Sequence, residues 1–184
     1  MKPTDQLKEE HKGIKLMLGV LERMCQKLEA GGKVDPDHLE QALDFFRGFA
    51  DRCHHLKEEM LLFPAMEKVG FPKEDGPIAV MLAEHTAGRN YVKQMSEGVS
   101  HYKSGDERSV STIVKAANGY IELLTAHIDK ENDVLFPMAE MRLPEEKQKE
   151  LETEFDRVEN EVIGVGKHEE YHRMIKNLKT IFPG

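Results

Sequence analysis

The chain has 184 residues, 26 of them Lys or Arg against 34 Asp or Glu, for a net charge of −8. That length suits one domain with a real core, and the acidic balance, with no basic stripe, argues against nucleic acid or an anionic membrane as the main partner. No apolar run approaches the ~18 residues of a membrane span and Met1-Lys2-Pro3-Thr4-Asp5-Gln6 has no signal-peptide core, so the expected setting is the cytoplasm.

No stretch alternates with period two over a useful length, whereas apolar spacings of three and four run through the chain, so the predicted fold is all-α. Leu7, Ile14, Leu18, Leu21 and Leu28 give a first helix its apolar face, from Thr4 or Asp5 to about Ala30, where Gly31-Gly32 ends it. Asp35-Pro36 is an N-cap followed by proline at the first helical position. The second helix it opens buries Leu39, Ala42, Leu43, Phe46, Phe49 and Ala50 and runs through His54 and Glu58 to Pro64, where a kink or break is expected. A third helix carries Ile78, Leu82, His85 and Tyr91 and fades near Ser104-Gly105-Asp106. The fourth covers about residues 107–142, with Ile113, Ala117, Tyr120, Ile121 and Leu124 leading to His127 and Glu131. Short connections favour antiparallel neighbours, so about residues 4–142 should form an up-down-up-down four-helix bundle. Pro144 starts further helices, the last holding Tyr171, Ile175 and Leu178, and about residues 144–182 are expected as a C-terminal extension of the single domain spanning 1–184. Cys25 and Cys53 are unclustered thiols rather than a disulfide framework or a zinc motif.

The chain repeats itself. His54-His55-Leu56-Lys57-Glu58-Glu59-Met60-Leu61-Leu62-Phe63-Pro64 aligns with His127-Ile128-Asp129-Lys130-Glu131-Asn132-Asp133-Val134-Leu135-Phe136-Pro137 at an offset of 73 residues, and Glu10-His11 aligns with Glu84-His85 at an offset of 74. Residues i and i+4 share a helix face, so His54 with Glu58 and His127 with Glu131 sit on stripes otherwise apolar, with Ala50 and Leu61 beside one pair and Leu124 and Val134 beside the other. Unpaired His and Glu on such a stripe would cost several kcal/mol, and a metal compensates them. Four imidazoles supply two nitrogens to each of two ions, with Glu58 and Glu131 free to bridge. Iron suits this donor set, with manganese and zinc as competitors. With an oxo or hydroxo bridge each ion would be about five-coordinate, leaving a position for dioxygen, peroxide or nitric oxide.

These motifs, His11, His54-x-x-x-Glu58, His85 and His127-x-x-x-Glu131, each hairpin followed by Leu-Phe-Pro, resemble the hemerythrin-like, or HHE cation-binding, family over about residues 5–142. The resemblance implies a four-helix bundle with a non-haem di-iron centre, His11, His54, His85 and His127 as terminal ligands and Glu58 and Glu131 as bridging carboxylates. Oxygen-carrying hemerythrins place His-x-x-x-His on the third helix and Asp after the fourth-helix His. Here Arg89 stands four after His85, and Glu131 replaces Asp. This pattern is closer to members linked to sensing, peroxide breakdown, nitric-oxide response and iron–sulfur repair. A non-enzymatic role in storing, donating or sensing iron through a protein partner is the alternative.

The fifth imidazole has one candidate outside the bundle. Gly164-Val165-Gly166 leads into a helix with His168 and His172 at i and i+4. These are either exposed residues of an amphipathic terminal helix or a fold-back segment that puts His168 on one iron. His38, His55 and His101 are expected on solvated helix surfaces, and Glu10, Glu59 and Glu84 as outer neighbours of the ligands or solvated groups.

Overall fold

The computed structural model describes residues 2–184, and among them there is no strand. Helix α1 (Pro3–Glu29) and helix α4 (Pro77–Lys103) each open on a proline, whose missing N–H costs nothing in the first turn. His11 is the ninth residue of α1 and His85 the ninth of α4. Helix α2 (Pro36–Phe45) is capped as expected, Asp35 Oδ1 accepting from the Asp37 N–H at 2.9 Å. It passes into π-helical turns over Phe46–His55 and Glu58–Leu62 and then into α3 (Phe63–Lys68). Helix α5 (Ser109–Lys130) continues likewise through a π turn, Glu131–Leu135, into α6 (Phe136–Arg142).

Of the kink or break expected at Pro64, the break does not occur, because a π turn carries the chain through each proline. A proline ring inside an α-helix collides with the carbonyl four residues back, and its nitrogen donates nothing. Here the Phe63 N–H reaches back five residues to the Glu58 carbonyl, and the Phe136 N–H does the same to Glu131. The wider turn makes room for Pro64 and Pro137, and the chain stays helical. A single π turn inserted in an α-helix often marks a functional site; both of these begin at the repeated glutamate.

Helices α1, α2, α4 and α5 pack cyclically, α1 on α2, α2 on α4, α4 on α5 and α5 on α1. The early part of α1 and α4 therefore meets the late part of the second and fourth helical rods, which is the up-down-up-down bundle. Leu7, Leu62, Phe63, Met66, Ile78, Met81, Leu135 and Phe136 form one buried apolar cluster. Ile14, Leu18, Phe46, Phe49, Ala50, Val92, Ala117, Tyr120 and Leu124 belong to a second. Every rod passes from one cluster to the other through a His: His11 between Leu7 and Ile14, His54 between Ala50 and Leu62, His85 between Met81 and Val92, His127 between Leu124 and Leu135. A buried polar layer thus divides the core.

The C-terminal segment is structural rather than appended loosely. Helix α7 (Glu145–Arg157) puts Leu151 and Phe155 into the first cluster, and α8 (Lys167–Ile181) puts Tyr171, Ile175 and Leu178 into the second. Gly48 makes that docking feasible: a Cβ there would lie 1.8 Å from the Tyr171 hydroxyl. No helix is long and apolar enough to cross a membrane among the described residues.

Candidate metal centre

In the polar layer His11, His54, His85 and His127 are each 1% exposed, and Glu58 and Glu131 are fully buried. The carboxylates alternate between the two histidine pairs. Glu58 places Oε1 3.4 Å from His54 Nε2 and Oε2 3.4 Å from His85 Nε2. Glu131 places Oε1 3.2 Å from His127 Nε2 and Oε2 3.1 Å from His11 Nε2. His85 Nε2 and His127 Nε2 lie 3.1 Å apart. One donor group holds His11, His54, Glu58 and Glu131, and a second holds His55, Glu58, His85 and His127, the atoms in each lying within 4.8 Å of one another. Glu58 belongs to both.

The outward nitrogens are all held. His54 Nδ1 lies 2.8 Å from Glu10 Oε2, His127 Nδ1 2.8 Å from Glu84 Oε2, His85 Nδ1 2.7 Å from Glu59 Oε1, and His11 Nδ1 2.8 Å from Asn132 Oδ1. Those oxygens only accept, so each Nδ1 carries the proton and donates it. The Nε2 atoms are left facing inward, which is how metal-binding histidines are oriented. Glu10, Glu59 and Glu84 therefore stand where outer neighbours were expected. Lys57 and Lys130, at equivalent places in the repeat, hold the far oxygens of Glu10 and Glu84 in turn.

The layer is incomplete as protein alone. His11 Nε2 and all four oxygens of Glu58 and Glu131 are buried without a hydrogen bond. Native interiors rarely leave such groups unpaired, and here they converge. Burial opposes charge on these groups, but mutual attraction outweighs it. Against that burial, the charges of Glu58 and Glu10 raise His54 to about 10, and those of Glu58 and Glu59 raise His85 to about 9. Despite the same burial, and despite repulsion from Glu58 in the case of Glu131, the neighbouring histidines hold Glu58 and Glu131 below the ordinary carboxylate range. The site's demand for positive charge fits cations, and imidazole with carboxylate suits iron, manganese or zinc.

Three sequence expectations come out differently. His55 is not a surface residue: it is 5% exposed and stacks on His85 with ring centroids 3.9 Å apart. Adjacent residues on an α-helix point about 100° apart, so His55 reads as off the His54 stripe. In the bundle, α4 packs over that second direction. Burial and the neighbouring His85 push the His55 pKa down to about 3. Val134 is half exposed rather than part of the apolar stripe, because the π turn rotates the residues after Glu131. His168 is not gathered with the other six; it packs on Phe49 and forms a separate group with Glu10 and Glu159, outside the inward-facing nitrogens.

Lys57 escaped sequence reasoning. It is fully buried, with Nζ 2.5 Å from both Glu10 Oε1 and Glu159 Oε1. The usable signal was in the repeat, which keeps Lys as well as His and Glu. For His55 the signal was Asp51 four residues earlier, the same His–carboxylate spacing as in the repeated pair.

A pocket of about 260 Å³ lies beside the layer, lined by Phe46, Asp51, His55, Arg89 and Tyr120 among others. His55, on its wall, stacks on His85.

The chain is 37% identical over 89 residues to the iron-sulfur cluster repair protein YtfE of Yersinia pestis (strain Pestoides F) and of Yersinia pseudotuberculosis serotype O:1b (strain IP 31758). These matches cover 47% of this chain and 40% of each relative, so the shared part is less than half of those proteins. Residues 2–139 match the hemerythrin HHE cation binding domain. That span is most of the chain and contains the whole His–Glu layer, and the chain belongs to the hemerythrin HHE cation-binding family.

Proposed function

We propose that the layer holds two iron ions and that the protein binds or reacts with a small ligand, dioxygen, nitric oxide or peroxide, in a stress response. In this reading His11 and His54 hold one ion, His85 and His127 the other, and Glu58 and Glu131 bridge them. The observation that carries it is the alternation of the carboxylates: each sends one oxygen to each histidine pair. A single-metal site needs no such alternation. The iron pair would supply electrons and an open coordination position. The chain's own part is to orient the four Nε2 atoms through Glu10, Glu59, Glu84 and Asn132, and to keep bulk water out with the two apolar clusters.

A second reading, iron donation in repair of damaged iron–sulfur clusters, draws support from the names of the relatives. Metal analysis and an absorption spectrum of the purified protein test the shared premise. About two irons per chain with oxo-bridge bands is the expected result, and one zinc or no metal sinks it. Azide or nitric oxide that shifts the spectrum favours the first reading. Iron transfer to a cluster-free acceptor protein, with no such shift, favours the second.

A further inference from the structure

The repeat is nearly symmetric around the polar layer, and its departures are concentrated on one side. His55 corresponds to Ile128, and Glu59 to Asn132. Where the second copy puts an aliphatic side chain, the first puts a buried imidazole against the His85–His127 pair. Its ring lies 3.9 Å from that of His85 at an interplanar angle of 19° and 5.8 Å from that of His127. One of its nitrogens falls within 4.8 Å of donor atoms of Glu58, His85 and His127.

Its outer nitrogen is held the way the other four are. His55 Nδ1 lies 3.2 Å from Asp51 Oδ1, a carboxylate that only accepts, so Nδ1 donates and Nε2 keeps its lone pair. Asp51 is fixed by Arg89, whose Nε lies 2.9 Å from Asp51 Oδ1 and whose Nη2 lies 2.7 Å from Glu59 Oε1. Glu59 in turn holds His85. One guanidinium therefore braces the carboxylates behind both stacked imidazoles.

We infer that His55 is a fifth imidazole ligand, serving the ion held by His85 and His127, so that the two metal positions are unequal. Resting on the two-metal reading above, the count of protein donors becomes five on that side: His55, His85, His127 and one oxygen each from Glu58 and Glu131. It stays at four on the side of His11 and His54. Free coordination capacity is then concentrated at the His11–His54 ion.

Cobalt(II) loaded into the full chain provides the test, because ring N–H protons of coordinated imidazoles give exchangeable proton resonances shifted far outside the normal range. The wild-type spectrum in water should show five such resonances that vanish in deuterium oxide, and His55→Gln should show four. Four resonances in the wild type, or five in the variant, overturn the inference. Should His55→Gln fail to fold, the wild-type count alone decides. Uptake of fewer than two cobalt ions per chain overturns the two-metal reading and this inference with it, whereas two ions with four resonances overturn the inference alone.

Discussion

Lys57 and Lys130 occupy the same place in the two halves of the repeat, yet only one is buried, which makes them a matched pair for measuring what burial does to an ion pair. Lys57 is fully buried between Glu10 and Glu159, each 2.5 Å from Nζ. Lys130 holds Glu84 with 44% of its side chain exposed. Changing Lys57→Met keeps an apolar stem and removes the charge, which lies over the Phe155 ring, leaving Glu10 as a buried anion balanced by His54 alone. Breaking a buried pair in this way costs ~3–5 kcal/mol, against ~0–1 kcal/mol for the exposed one. For a chain of this size each kcal/mol moves Tm by about 2–4 °C, so Lys57→Met should lower it by ~6–20 °C and Lys130→Met by less than ~4 °C. The assay is a thermal scan with urea melts on metal-free protein at pH 7, since bound metal would add its own stabilisation. Adding Glu10→Gln to Lys57→Met should recover part of the loss, because the stranded charge is then gone. Equal shifts for the two lysine variants would refute the reasoning.

Acid should destabilise the metal-free protein partly through Glu10. Burial would raise its pKa, but His54 and Lys57 hold it at about 2 against an ordinary 4.5. The folded value is the depressed one, so this contribution, ~3 kcal/mol, is present above pH 4.5 and is lost as pH falls towards 2; Glu10→Gln should flatten urea-melt stability across that window. Metal uptake should release protons. His54 and His85, raised to about 10 and 9, are charged at pH 7 without metal and must be neutral to bind it. An indicator dye in weak buffer should report at least two protons per chain on anaerobic iron(II) loading, and a release below one proton contradicts the electrostatics. Gly48→Ala should cost ~1–3 kcal/mol in urea melts, as overpacking does, because the new Cβ meets the Tyr171 hydroxyl and α8 must shift. Tyr171→Phe in the same chain should restore only part of that, since the ring carbon Cζ still lies 2.7 Å from the added methyl.

Much of the site was legible because it is written twice. Glu10-His11 with Glu84-His85 and the two His-x-x-x-Glu segments reveal themselves by spacing alone, and helical periodicity then puts all six side chains on inward faces. The proline after each Leu-Phe was visible too, though not its effect. A sequence rule says that proline interrupts a helix; the bundle instead absorbs it in a π turn starting at the repeated glutamate. His55 and Lys57 were misplaced or missed for one reason: both look solvent-facing on an isolated helix, and each is buried by something distant in sequence. For His55 that is α4, and for Lys57 it is the acidic pair of Glu10 and Glu159, contributed by α1 and the turn after α7.

The division has a physical basis. Local periodicity and capping are short-range, so the sequence by itself determined the helices, their inward stripes and the doubled set of His and Glu donors. Which oxygen of Glu58 or Glu131 faces which histidine pair, which oxygen holds each Nδ1, and whether His55 or His168 joins the His–Glu layer depend on how four rods pack side by side. Those contacts join residues as far apart in sequence as His11 and Asn132, 121 positions, and no spacing rule reaches that far. Only the tertiary structure decided them.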